Sequence, residues 1–128
     1  MLFRSVTAVE VRVGDLLHPL AGERYRVIVA NPPYLTEAEW DALDPAVREF
    51  EPRRALASGP DGLAATRVLL DGARALLSPG GVLALEIDER RAAVVKTLAR
   101  AADWPHVAVH RDLFGRPRYA LAVAGGDG

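Results

Sequence analysis

At 128 residues, half of them hydrophobic, the chain suffices for one small domain that buries roughly two-thirds of its unfolded surface. Its 16 basic and 17 acidic residues leave a formal charge of -1, so it offers no broad basic surface of the kind that holds nucleic acid through phosphates. The lack of cysteine excludes disulfides, thiolate zinc sites and cysteine nucleophiles. No signal peptide or bilayer-spanning run is present, so a cytoplasmic protein is expected.

Val9 to Val13 alternates apolar and charged residues and meets Gly14-Asp15, which predicts a strand ending in a turn. Tyr25 to Ala30 is rich in β-branched residues and runs into Asn31-Pro32-Pro33, where proline must stop the ladder. The next element is a short helix through Leu43, capped by Thr36 with Glu39 completing a capping box. A polar loop from Asp44 to Pro60 follows, long enough to suggest a lid or substrate wall.

Asp61 is expected to cap a helix whose apolar positions Leu69, Leu70, Ala73, Leu76 and Leu77 repeat at helical spacing, with Ser78-Pro79-Gly80-Gly81 ending it. The continuous apolar run Val82 to Ile87 predicts a strand buried on both faces. A helix from Glu89 to Ala102 comes next, then strands near His106 to Arg111 and Arg118 to Val123 joined through Gly115-Arg116-Pro117. Gly125 to Gly128 reads as a disordered tail. The order describes an α/β sheet closing in a hairpin.

Asn31-Pro32-Pro33-Tyr34 carries the strongest chemical signal, because ligands of open α/β sheets bind beyond the carboxyl strand ends. A planar amide or aromatic amine is a poor nucleophile whose N–H groups need acceptors. The Asn31 side-chain oxygen and the Pro32 carbonyl supply two, held rigid by the prolines, and Tyr34 offers a stacking face. Asp15 reads from the residues alone as a turn former. Glu86 is either a pocket residue or a strand-end carboxylate reaching solvent. Arg53 and Arg54 read as solvated in preference to meeting a protein partner, Glu51 as a group that orders its loop through backbone N–H groups, and His18, His106 and His110 as surface residues without metal-ligand spacing.

Asn31 to Tyr34 is similar to the signature of class I methyltransferases acting on amide or exocyclic amino nitrogens. Phe50-Glu51-Pro52-Arg53-Arg54-Ala55-Leu56, Gly59 and Asp61-Gly62-Leu63 resemble the glutamine methyltransferases of peptide chain release factors, the HemK-type family. Arg111 to Arg118 resembles that family's closing hairpin. The resemblance covers most of the chain from Gly14 onward. It implies methyl transfer from S-adenosylmethionine to the side-chain nitrogen of a glutamine in the Gly-Gly-Gln loop of a release factor. Asn31 and Pro32 would be catalytic, Asn31, Pro32, Pro33 and Tyr34 would hold the glutamine, and Asp15, Leu16 and Asn31 would line the cofactor pocket with Gly14, Asp15 or its neighbours receiving the adenine amino group.

The implied fold is the carboxy-terminal part of a Rossmann-like class I methyltransferase sheet, mostly parallel with an antiparallel final hairpin strand. Residues 1–128 then form a partial methyltransferase domain without its first two strands, Gly-rich loop and amino-terminal helical domain. This leaves an edge of the Val27 strand exposed to self-association. Leu2-Phe3-Arg4-Ser5 is what a common sequencing-adapter end encodes in one frame, so Met1 to Ser5 read as non-native. Asp88 departs from the family, where glycine is usual, and is expected to narrow the pocket floor. The alternatives are a ribosomal-protein glutamine methyltransferase, an RNA or DNA amino-group methyltransferase, and a non-catalytic remnant that binds a partner through its sheet edge.

Overall fold

The computed structural model describes residues 8–50 and 56–126. The expectations for Met1 to Ser5, for Glu51, Arg53 and Arg54, and for the last two residues of the tail lie outside that range.

Strand β1 (Tyr25–Ala30) ends where Asn31-Pro32-Pro33 begins. Helix α1 (Glu37–Asp41) starts at the expected capping box. Thr36 Oγ1 accepts from the Glu39 N–H at 3.0 Å, and Glu39 Oε1 accepts from the Thr36 N–H at 2.8 Å. Helix α2 (Pro45–Phe50) occupies the first part of the stretch Asp44 to Pro60, where a polar loop is expected. Asp44 Oδ1 accepts from the Ala46 N–H at 2.8 Å, and Pro45 takes the first helical position, where its missing N–H costs nothing.

Helix α3 (Ala64–Gly72) starts later than expected and passes through a tight turn at Ala73–Leu76 into β2 (Leu77–Glu86). Asp61 is not its cap. Its Oδ1 instead accepts from Leu63 N–H at 3.0 Å, while the buried Ser58 hydroxyl accepts from Ala65 N–H at 2.8 Å. Ser78 to Gly81 opens β2 rather than closing the helix. A turn at Glu89–Arg91 leads into α4 (Ala92–Ala101), followed by β3 (His106–Arg111) and β4 (Pro117–Val123).

The sheet order is β1-β2-β4-β3. β1 and β2 are parallel, with Ile28 opposite Leu83, and β4 runs antiparallel to both β2 and β3. Three strands therefore point one way and the last runs against them, as expected of this part of a class I methyltransferase sheet. The carboxyl ends of β1, β2 and β3 share one edge of the sheet, and the hairpin turn at 112–116 lies there too.

The core forms where α3 and α4 cover one sheet face. Leu83, Leu85 and Ile87 of the β2 segment and Ala120, Ala122 and Ala124 of the β4 segment meet Leu69, Leu70, Val95 and Ala99. Trp104 is buried among them, its indole N–H donating to Leu70 O at 2.8 Å. Leu85 is 1% exposed, so Leu85→Ala is expected to cost about 2–5 kcal/mol, measured as a shift of the urea midpoint at constant slope.

Burial on both faces of the Val82 to Ile87 run is not found. Val82, Ala84 and Glu86 are only half-buried, and Val27 and Val29 on the same face of β1 are exposed, because the packed helices lie on the other side. The expected strand at Val9 to Val13 is also absent. Its three valines are exposed, and no ladder partner exists for them among the described residues. Alternation makes a strand only where a sheet edge receives it.

Candidate functional site

Residues 31–34 leave the end of β1 and are fixed by chain returning from far along the sequence. The Tyr34 and Leu35 N–H groups both donate to Leu56 O, at 3.1 and 2.8 Å, and Ser58 N–H donates to Leu35 O at 2.8 Å. The turn at Gly59 to Gly62 then closes on the motif. Gly62 has φ +75°, and a Cβ there would lie 2.4 Å from Tyr34 O. The Asp61-Gly62-Leu63 segment thus backs the Tyr34 peptide, which pattern reading, treating Gly62 as a helix boundary, does not anticipate.

Asn31 is exposed and its amide makes no hydrogen bond among the described residues. The Pro32 carbonyl likewise accepts no hydrogen bond among the described residues, and Pro32 as a whole is buried. Neither acceptor is engaged by a protein donor among the described residues. A cavity of about 250 Å³ brings Leu16 together with Asn31, Pro32 and Pro33 over a floor of Ile28 and Leu69. The Gly14 turn supplies Leu16, and a Cβ on Gly14 would strike Pro19 Cγ at 2.2 Å.

Asp15 lies in a neighbouring groove shared with Leu16 and His18, where its carbonyl accepts from His18 N–H at 3.0 Å. The structure therefore joins Leu16 and Asn31 in one cavity and leaves Asp15 beside it. Among the described residues Asn31 provides the only polar side chain of that cavity. S-adenosylmethionine presents a ribose diol, an adenine amine and charged amino-acid groups, and the described residues of the cavity offer no charged side chain and one polar side chain for them. They do not fit the whole cofactor.

Asp88 does not line this cavity. Its buried carboxylate is gathered by two arginines, with Oδ2 2.6 Å from Arg91 Nη1 and 2.5 Å from Arg90 Nη2. Those arginines also reach Glu39, at 2.8 Å from Arg91 and 2.6 Å from Arg90, and Arg91 Nε donates to Asp61 O at 3.1 Å. The end of β2 is thereby tied to the start of α1 and to the turn behind Tyr34. Pattern reading passes over Arg91 because its partners are 30 and 52 positions away.

Burial alone would push the Asp88 carboxyl up, but hydrogen bonds from the Arg90 side chain and backbone N–H, with the charges of both arginines, outweigh it and hold it below the ordinary range. Burial likewise opposes ionisation of Glu39, and the Thr36 N–H and Arg91 overcome it. A carboxylate lowered on folding stabilises fully above its unfolded value and loses that contribution as pH falls through its folded value. Asp88→Asn is therefore expected to be less stable than the parent at neutral pH. The gap should close as pH drops below the ordinary carboxylate range, read from urea midpoints across pH; a gap independent of pH would contradict this.

Glu86 pairs with Arg118 at 3.7 Å, and Arg118 Nε meets Asp112 at 3.4 Å. The three histidines are exposed, and no group of three potential ligands among the described residues is placed to hold a metal. Among the described residues no helix is long and apolar enough to cross a membrane.

No family model matches the chain. Over 110 residues it is 50% identical to the release factor glutamine methyltransferase of Moorella thermoacetica, covering 85% of this chain and 38% of that protein. The proteins of the same name from Deinococcus radiodurans and Enterococcus faecalis are 43% and 34% identical over 113 and 116 residues, covering 88% and 89% of this chain and 40% and 42% of theirs. The chain thus spans about two-fifths of the length of these curated relatives. With its motif at a carboxyl strand end and its sheet closed by a hairpin, the chain is a relative of the release factor glutamine methyltransferases and shares with those enzymes the segment that it spans.

Proposed function

We propose that this chain carries the acceptor-binding half of an S-adenosylmethionine-dependent methyltransferase that modifies the side-chain nitrogen of a glutamine in the Gly-Gly-Gln loop of a peptide chain release factor, in the cytoplasm. The observation that carries the reading is the pair of unused acceptors at Asn31 and Pro32, at the carboxyl end of β1 in a chain 50% identical to an enzyme of that name.

The lone pair of an amide nitrogen is delocalised, so orientation matters more than a base. The two N–H groups of the glutamine donate to Asn31 Oδ1 and Pro32 O. The bound nitrogen is then held so that the face bearing its lone pair points away from the protein acceptors. Pro33 keeps Pro32 extended, and Tyr34 provides an aromatic face for the amide plane. S-adenosylmethionine supplies an electrophilic sulfonium methyl group. On this reading the described residues serve the acceptor, and binding of the whole cofactor needs groups beyond those that line the cavity.

The test combines this chain with the remaining segment of the Moorella thermoacetica relative, methyl-labelled S-adenosylmethionine and three acceptors: a release factor, a ribosomal protein fraction and RNA. Label in the release factor that survives nuclease treatment supports the reading. Label only in ribosomal protein or only in RNA overturns the choice of acceptor. No label in any of them, with no cofactor binding, favours a non-catalytic remnant.

A further inference from the structure

The β3–β4 hairpin ends in two apolar residues with no packing. Leu113 is 102% exposed and Phe114 is 87% exposed, although the turn that holds them is closely bonded. Asp112 Oδ1 accepts from the Phe114 and Arg116 N–H groups at 2.9 and 3.0 Å, Asp112 N–H donates to Arg116 O at 2.8 Å, and Arg111 donates to Gly115 O at 2.8 Å. A turn fixed at this many points presents the two side chains outward in a set geometry, so little ordering entropy would be lost if a partner covered them.

Position decides which partner. Strand register puts Glu86 opposite Tyr119, and Tyr119 opposite His110, so the hairpin tip stands at the same sheet edge as Asn31 to Tyr34. Arg118 ties the turn to the neighbouring strand end: it meets Asp112 at the base of the turn and Glu86 at the end of β2. A lone glutamine side chain has no use for an apolar anchor outside the pocket that holds its amide. A folded protein that presents the glutamine on a loop does.

We infer that Leu113 and Phe114 form a docking anchor for the protein that carries the acceptor glutamine, entering an apolar recess on that protein while its loop reaches Asn31. This rests on the acceptor being a protein, as proposed above. The pair acts on affinity for the whole protein and does not touch the amide.

The test measures binding of an immobilised bacterial release factor to the 128-residue chain and to its Leu113→Ser/Phe114→Ser variant, with Phe114→Leu as the conservative variant. Both positions are solvent-exposed, so thermal unfolding of the variants should match the parent. The expected result is a Kd raised at least about tenfold in the double variant and restored to near the parent value in Phe114→Leu. Equal Kd values for parent and double variant overturn the docking anchor while leaving the acceptor reading intact. Absence of binding by every form, the parent included, overturns the acceptor reading and the anchor with it.

Discussion

Replacing Asn31 with Ala, in an enzyme completed by the cofactor-binding segment of a relative, is expected to lower kcat for a release factor by roughly 100-fold or more. That is the scale of effect when one positioned hydrogen-bonding group is removed from a reacting centre. The side chain is exposed and makes no hydrogen bond among the described residues, so stability should change by no more than about 0.5 kcal/mol. This combination is informative because the two quantities separate: a structural asparagine would lose stability first and turnover only as a consequence. Asn31→Asp should also be poor, since a carboxylate still accepts hydrogen bonds but places a charge beside a neutral amide. Parent-like kcat in Asn31→Ala would remove the asparagine from the mechanism.

Gly62→Ala is expected to destabilise the chain by at least about 2 kcal/mol and to weaken acceptor binding together with it. Two costs combine. The φ of +75° is unfavourable for an L side chain by roughly 1–2 kcal/mol, and the new Cβ would sit 2.4 Å from Tyr34 O and 3.2 Å from Leu35 C, backbone atoms that cannot swing aside. Gly59→Ala provides the comparison, with nearly the same φ of +73° and only the Ala64 methyl group at 3.2 Å. It should therefore lose the conformational part alone. Urea midpoints that place the two variants level would show that the Gly62 turn does not press on the Tyr34 peptide.

Local chemistry was readable where neighbours in sequence are also neighbours in space. The capping box at Thr36 and Glu39, the termination of β1 by Pro32 and Pro33, and the closing hairpin all depend on residues within a few positions of one another, and all three are found. The misses occur where a distant partner decides. Val9, Val11 and Val13 alternate as a strand should, yet no edge among the described residues receives them. Asp61 reads as the helix cap, while Ser58 serves the Ala65 N–H and Asp61 holds Leu63 and Arg67 instead. Asp44-Pro45 looked like loop chemistry, although an acceptor followed by proline equally suits a helix start.

The site divides in the same way. Asn31 to Tyr34 is contiguous and could be read directly, but the groups that fix it are Leu56, Gly62 and, through Glu39 and Asp61, Arg91. No periodicity brings these to notice, since each contributes a carbonyl, a missing Cβ or a long side chain reaching across the fold. Asp88 departs from the family pattern, and its partners are what no local pattern shows: its carboxylate gathers Arg90 and Arg91.

The most direct measurement is tandem mass spectrometry of a release factor after incubation with the completed enzyme and methyl-labelled S-adenosylmethionine. The account predicts one methyl group on the side-chain nitrogen of the glutamine in the Gly-Gly-Gln loop, lost when Asn31 is Ala. A methyl group on any other residue, or modification of that glutamine undiminished by the Asn31 substitution, would contradict it.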